Sequence, residues 1–345
     1  MVRRKGSILI LVLFVMVVLS LTAVSFAYRA GIESRMSNQR AILAILRAQA
    51  QSALDIALAR LAAETNEFDH RAEPWCAHGP LAEERWLPEW SPDQTGRPSA
   101  FVTEYQVIDE EGKLNVMYAS SEDLEKLGMR AEQAAALQDW LDADSVPQAQ
   151  GAEDDYYLRQ PTPHRCKNAP LDVLEELLLI RGFGPADYQG EDADHDAALD
   201  EAEDDGGRTA PPDDRDGQLR LGWVDLLTCL GDGRINLNTA PEAVLRTLPL
   251  SDEAVGQVLG YRAFDEHSSG NLEDHAFRNE TDIDQLQGLT PVDRDVLRTL
   301  GTFRSTHFRV FIQARHVTSR LTHRLEALVR MNGRTPKVLQ LRTQS

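Results

Sequence analysis

From Ile8 to Leu19 the chain has no polar residue, and it reaches Ala27 through Ser20, Thr22 and Ser25 without a charge. That is about the 20 residues a helix needs to cross the hydrocarbon core of a bilayer. Beyond Tyr28 the pattern changes. Ile32, Met36, Ile42, Ile45, Leu46, Leu54, Ile56, Leu58 and Leu61 recur at helical spacing, Ala and Gln fill the positions between, and no Pro occurs before Glu64. The spacing predicts one long helix, apolar all round over 7–27 and amphipathic over 28–68, whose second half needs a surface to pack on.

The pattern then breaks. Residues 69–98 are rich in Trp, Pro and charge and predict an irregular connection. Phe101 to Ile108 alternates, with Phe101, Thr103, Tyr105 and Val107 on one face, an acidic turn follows at 109–112, and a short run spans Lys113 to Tyr118. This predicts a hairpin. Helical patterns dominate 119–300. Strand-like runs return at Phe308–Ile312, Thr322–Met331 and Lys337–Leu341, with the tight-turn dipeptide Asn332-Gly333 between the last two. The fold class is therefore α+β: a long helix, a sheet begun over 69–118 and resumed over 301–345, and a large helical insert over 119–300.

Arg3, Arg4 and Lys5 precede Gly6 and Ser7. Basic residues at one end of an apolar helix place that end in the cytoplasm. Three readings fit the segment: a plain signal anchor; a secretory peptide cut after Ser25-Phe26-Ala27; or a short basic leader cut between Gly6 and Ser7, as in prepilins of the type IV pilin and type II secretion class. The continuity of the helix past Tyr28 favours the third, because a pilin packs the second half of its helix against its own head.

Charge narrows the function. Lys+Arg total 36 against Asp+Glu 55, a formal net charge of −19. Such a chain repels nucleic acid and suits a solvated surface or divalent cations. Three segments, 174–185, 240–262 and 283–300, have helix-hairpin-helix patterning, but acidic neighbours make them packing units and not phosphate clamps. Cys76, Cys166 and Cys229 are the cysteines. In an oxidising compartment Cys166 with Cys229 is the pair to expect, with three unpaired thiols as the alternative. No nucleophile elbow, zinc motif or phosphate loop occurs, and His70, His78, His164 and His195 have no zinc-like spacing and read as surface residues. The chain is read as a non-enzyme.

The densest chemistry lies in 190–219. Asp192, Asp194, Asp196, Asp200 and Glu203 occupy positions 1, 3, 5, 9 and 12 of a twelve-residue loop with Leu199 at the apolar eighth. Alternating oxygens of this kind can curl round Ca²⁺. Ala197 departs from the Gly that the sharp turn wants. A second, incomplete loop follows at Asp214, Asp216, Gly217 and Leu219, with Pro212 at its first position. Another oxygen cluster, Asp142, Asp144, Glu153 and Asp154, brackets a loop containing Pro147 and Gly151; calcium binding and helix capping are both open for it. The alternative for 190–219 is a solvated acidic linker.

Three strings carry a family resemblance: Asp109-Glu110-Glu111-Gly112-Lys113-Leu114-Asn115; Asp139-Trp140-Leu141-Asp142-Ala143-Asp144 followed by Gly151-Ala152-Glu153-Asp154-Asp155-Tyr156-Tyr157; and Arg234-Ile235-Asn236-Leu237-Asn238-Thr239-Ala240-Pro241. With the order of leader, long helix, strands, helical insert and terminal strands, the chain resembles the K-class minor pseudopilins of type II secretion over nearly its whole length. The resemblance implies cleavage after Gly6 by a prepilin peptidase, methylation of Ser7, an inner-membrane anchor with a cytoplasmic N-terminus and periplasmic bulk, and I- and J-class minor pseudopilins as partners. It further implies a place at the pseudopilus tip, initiating or capping assembly for export of folded proteins, and bound calcium without naming ligands. Major pilins carry Glu at the fifth mature position; here it is Leu11, as in K-class proteins. A carboxylate in lipid needs a partner, and a subunit with nothing above it has none. The other functions left open are a membrane-anchored or secreted calcium-binding module and a helix-hairpin-helix DNA receptor.

Overall fold

A computed structural model describes residues 7–76, 100–192, 195, 199, 203–204, 206, 211, 213, 215–264 and 271–344. Helix α1 runs unbroken from Ser7 to Ala63, 57 residues, or roughly 85 Å at 1.5 Å per residue. Its surface divides as the pattern demands. Leu9 to Tyr28 are exposed on every side, whereas Ile42, Leu46, Ala50, Ala53, Leu54, Ala57 and Leu61 form one buried stripe. The alanines let a sheet approach the helix closely, and each buried leucine contributes about 2 kcal/mol.

That sheet has four antiparallel strands in the order β1 (Phe101–Asp109), β2 (His307–His316), β3 (Thr322–Asn332), β4 (Thr335–Gln344). Alternate residues face α1: Tyr105 and Val107; Phe308, Val310, Ile312 and Ala314; Leu325, Ala327 and Val329. Asn332 pairs with Thr335, so Gly333 and Arg334 make the two-residue turn, one position later than expected. Gly333 takes φ +62, the left-handed value such turns require.

The expected hairpin over Phe101–Tyr118 does not form. The Asp109 carboxylate accepts a hydrogen bond from Glu111 N (2.8 Å), which starts a single 3-10 turn and carries the chain out of the sheet. Leu114–Asn115 then pairs, in parallel, with Leu227–Thr228, and Leu114 and Val116 join the insert's core. The partner of β1 is β2, after residues 110–306 have intervened. Alternation fixes which side chains share a face and is blind to which strand lies alongside.

The insert is built from short helices: α2 (Ser121–Lys126), α3 (Ala131–Leu141), α4 (Asp154–Tyr157), α5 (Pro185–Gln189), α6 (Trp223–Leu226), α7 (Glu242–Leu245), α8 (Asp252–Tyr261), α9 (Glu280–Ile283) and α10 (Pro291–Leu300). All three helix-hairpin-helix patterns become turns between short elements: a 3-10 turn and α5, α7 and α8, α9 and α10. The insert has a core of its own, including Leu137, Trp140, Tyr157, Leu177, Leu227, Val258 and Phe277, separate from the core between α1 and the sheet.

Polar side chains join the two cores. Glu110 is wholly buried; its Oε1 lies 2.7 Å from Lys113 Nζ and 2.8 Å from Arg309 Nε, and its Oε2 accepts from Thr228 Oγ1 at 2.7 Å. Lys113 also donates to Val224 O (2.8 Å). Burial alone would raise the Glu110 carboxyl, but the two cations hold it well below the usual range. Arg309 reaches on to Glu326, and Arg342 on β4 pairs with Glu175 of the insert. Nearby, Asp109 Oδ2 accepts from Asn236 Nδ2 (2.9 Å), Thr239 Oγ1 (2.5 Å) and Ser305 Oγ (2.7 Å), while Asp69 Oδ2 accepts from Ser305 N (2.6 Å). Burial pushes Asp69 up to about 8, with Asp109 and Glu73 adding to the rise, and burial with Glu111 pushes Asp109 up to about 6.

Two predictions follow from this junction. Arg309→Met strands Glu110 with one cation in place of two; it should cost about 3–5 kcal/mol in urea unfolding, and Glu110→Gln added to it should recover part of the loss. A protein in which both single and double variants unfold like wild type would refute the network's role. Between the unfolded carboxyl range and pH 8 the folded protein holds protons on Asp69 that the unfolded chain releases, so this group's contribution to stability is lost as pH rises through that window. Asp69→Asn removes the linkage. Its stability relative to wild type should rise by on the order of 2 kcal/mol between pH 5 and pH 8, measured as the difference between the two pH profiles; parallel profiles would contradict it.

Candidate functional site

The first candidate is the bare half of α1. Leu11 is 61% exposed, and it stands among neighbours that are apolar and equally open, so the helix presents hydrocarbon in every direction from Leu9 to Ala27. Ser7 opens the helix; Gly6 lies outside the described residues.

The second is the acidic loop. Its two ends close through a bridge between Gly190 and Leu221. Gly190 has φ +67, and a side chain there would meet Gly222 N at 2.2 Å, so only glycine closes this neck. Asp192 and Glu203, the first and last positions of the calcium-like spacing, are both buried. Asp194, Asp196, Asp200 and Asp214 lie outside the described residues. Asp216 is exposed and accepts from Gln218 N (2.8 Å). Asp213 accepts from Gly206 N (2.8 Å) and Arg215 N (3.0 Å), holding the loop's far turn.

His195 sits inside this loop and corrects the expectation of a surface histidine. Its Nδ1 lies 2.6 Å from Asp225 Oδ1, its ring stacks on Phe311 at 4.1 Å, and its carbonyl accepts a hydrogen bond from the Gln106 side chain. Burial opposes the charged imidazole, yet Asp225 and then Asp192 raise its pKa. The residue pins the loop to β1, β2 and α6 at once. Its signal in the sequence is a single His in an acidic run, which names no partner. His70 is buried as well: its Nε2 lies 2.9 Å from Arg262 O, and burial lowers its pKa to about 4.

The third candidate lies between α3 and α4. Carboxylate oxygens of Asp142, Asp144 and Glu153 all fall within 4.8 Å of one another. Asp154, the fourth residue of the expected cluster, does not join them; it accepts from Cys166 N (2.8 Å) and faces Arg165 (3.7 Å). The loop is shaped by Asp139, which is buried and accepts from Gln148 N at 3.1 and 3.2 Å. Gly151 presses on it: a Cβ there would stand 1.9 Å from Asp139 Oδ2. Asp142 Oδ1 accepts from Asp144 N (3.2 Å) and Asp144 Oδ1 from Val146 N (2.8 Å), successive turns that bend both aspartates towards Glu153. Glu153 is 4% exposed, and neither of its oxygens has a hydrogen-bond partner among the described residues. Burial raises its carboxyl, the neighbouring Cys166 thiol opposes this, and Asp139, Asp142 and Asp144 add to the rise; the thiol's own hydrogen bond runs to Asp139 O at 3.6 Å.

The expected Cys166–Cys229 bridge is not formed. All three thiols are free. Cys166 lies beside Glu153, whereas Cys229 feels Glu110 and Arg309 at the junction, and burial pushes the two up to about 12 and about 11.

The comparisons with known proteins bear on the same segment. Residues 121–190 match the family model of type II secretion system (T2SS) protein K. The type II secretion system protein K of Pectobacterium carotovorum subsp. carotovorum is 41% identical over 64 residues, 17% of this chain and 20% of that protein. The protein K of Klebsiella pneumoniae is 44% identical over 70 residues, 19% of this chain and 22% of that one. The chain thus spans about a fifth of the length of the curated relatives it matches. In overall fold it is similar to a chain in the crystal structure of the GspK-GspI-GspJ complex from the enterotoxigenic Escherichia coli Type 2 Secretion System, with a TM-score of 0.54 and 16% identity over 91% of this chain and 99% of the other. The matched domain holds both the Asp139 to Asp144 string and the loop it shapes, so the likeness to type II secretion system protein K rests on the first part of the insert in sequence and on nearly the whole chain in fold.

Proposed function

We propose that this protein is a minor pseudopilin at the tip of the type II secretion pseudopilus, where it initiates or caps assembly for export of folded proteins from the periplasm. The observation that carries the reading is the place of the insert. Trp75, just beyond α1, packs edge-on against Phe308 at 5.1 Å, and Asp69 N bonds to Phe303 O. The sheet therefore opens to the insert at the end where α1 stops, opposite the bare half of the helix. A head with this bulk beyond the helix leaves no room for a subunit stacked above it. Leu11 agrees, since a terminal subunit has no neighbour to neutralise a carboxylate at that depth. The anchor would cross the inner membrane once, with the N-terminus in the cytoplasm and the bulk in the periplasm. A prepilin peptidase would cut between Gly6 and Ser7, and Ser7 would be methylated. The partners are the I- and J-class minor pseudopilins, as the composition of the solved complex suggests.

Calcium belongs to the proposal as well. The spacing of Asp192, Asp194, Asp196, Asp200 and Glu203 supports an ion in the acidic loop, and its two end carboxylates, Asp192 and Glu203, are both buried.

Mass spectrometry of the protein from cells should find a mature chain beginning at methylated Ser7, and Gly6→Val should leave the leader attached. A chain that begins at Met1 in wild type, or at Tyr28, would overturn the reading. Soluble segments from Arg29 onward should co-purify with the I- and J-class heads, and failure of all such complexes would exclude the tip role. For the loop, calcium should raise the melting temperature by several degrees, and Asp192→Ala with Glu203→Ala should abolish that loop's share; an equal shift in the double variant would refute this assignment.

A further inference from the structure

We propose that the neck of α1 and the turn between β2 and β3 form one cationic surface that binds anionic phospholipid headgroups of the leaflet from which the helix emerges. The proposal rests on reading the apolar half of α1 as a bilayer span. The chain carries 55 acids against 36 Lys and Arg, but the excess is unevenly placed. Between Tyr28 and Arg47 stand Arg29, Arg35, Arg40 and Arg47 and a single acid, Glu33, all five exposed. No ion pair engages these arginines among the described residues. The head first covers the helix at Ile42, so 28–41 is a bare neck directly beyond the span.

The neck has the pattern of a helix that rests among headgroups. Arg29, Arg40 and Arg47 are 11 and 7 residues apart, close to whole turns, and share one face. Ile32 and Met36, both exposed, lie between that face and Arg35. An apolar centre with arginines on either flank can sink its hydrocarbon into the interface while the guanidinium groups reach phosphate. Tyr28 stands where the interfacial aromatic of a span is expected. Arg35 lies roughly 12 Å beyond Ala27 along the axis, and a helix tilt of up to about 40° lowers the neck towards the bilayer. Gly31 eases this, because nothing packs on it and an interior glycine loosens a helix.

The head continues the surface. Thr103, paired with Ala314 near the end of β2, reaches Gln49 of α1 (3.4 Å), whereas Phe308 at the other end packs on Trp75 beyond the helix. The β2–β3 turn therefore points towards the span. Arg315, Arg320 and Arg324 on and beside it are exposed, and no acid occurs from 315 to 324. Glu104 lies 3.6 Å from Arg315, while Arg324 donates to the neutral Gln313 (2.9 Å). The bilayer is the anionic surface that α1 itself brings beside Arg29, which favours lipid over an acidic protein.

The test places the full chain in phosphatidylcholine vesicles with and without phosphatidylglycerol, with a fluorophore on Thr318→Cys in the turn, a quencher on the headgroups, and the parent chain as the blank for native thiols. Phosphatidylglycerol should raise quenching about twofold, and high salt should reverse the rise. Arg29→Gln, Arg35→Gln and Arg40→Gln together, all at exposed positions, should abolish it. The same three changed to Lys should keep it, since attraction to an anionic surface follows charge. Flotation with phosphatidylcholine vesicles alone reads the anchor, and protein that fails to float overturns the span and the proposal together. Protein that floats but is quenched equally in both vesicles, or a triple Gln variant that responds as wild type does, overturns the proposal and leaves the anchor standing.

Discussion

Glu110 is the residue on which the architecture turns. Its carboxylate is fully enclosed, and its cations come from both sides: Lys113 from the segment entering the insert, Arg309 from β2 of the sheet. Two hydrophobic cores would meet there in any case, but apolar surfaces are tolerant of sliding. A buried charge is not. Each of its hydrogen bonds has a direction and a length, and the cost of losing one is far greater than the gain from making it. The same logic runs through Asp109, whose one oxygen gathers Asn236, Thr239 and Ser305 from three separate parts of the chain. The insert is therefore held in one orientation by polar geometry, with apolar burial supplying the cohesion on either side.

How much of this could be read beforehand depends on the range of the interaction. The helix from Ser7 to Ala63 follows from local periodicity alone and ends within a few residues of the expected limit. The strands of the sheet were likewise legible as alternation, and the last hairpin as a glycine turn displaced by one position. What failed was pairing. Phe101 to Asp109 was a strand, but its neighbour lay beyond the whole insert, and the nearby run at Leu114 belonged to another core. Nothing in a period of two says how far away the partner is.

The polar sites show the same division. The acidic string at Asp109 to Asn115 stood out as a family pattern, yet the reason for it, a carboxylate shared between two domains' worth of packing, exists only once residues 236, 239 and 305 arrive. His195 was passed over because an isolated histidine carries no spacing to interpret; its role comes from Asp225, Phe311 and Gln106. The cluster at Asp142, Asp144 and Glu153 was visible as composition. Its distinguishing fact is the burial of Glu153 without a donor, which no count of acidic residues could reveal.

The junction also explains why a long rod and a large insert can serve one purpose. A helix of this length transmits position along its axis only if its far end is fixed to something rigid. α1 is fixed along its second half by the stripe from Ile42 to Leu61, and the chain just after it is tied by Asp69 to Ser305, the residue that also binds Asp109. One serine thus links the end of the rod, the exit from β1 and the entry to β2. Motion of the apolar half of the helix is thereby coupled to the insert through the hydrogen bonds of Ser305 to Asp69 and Asp109.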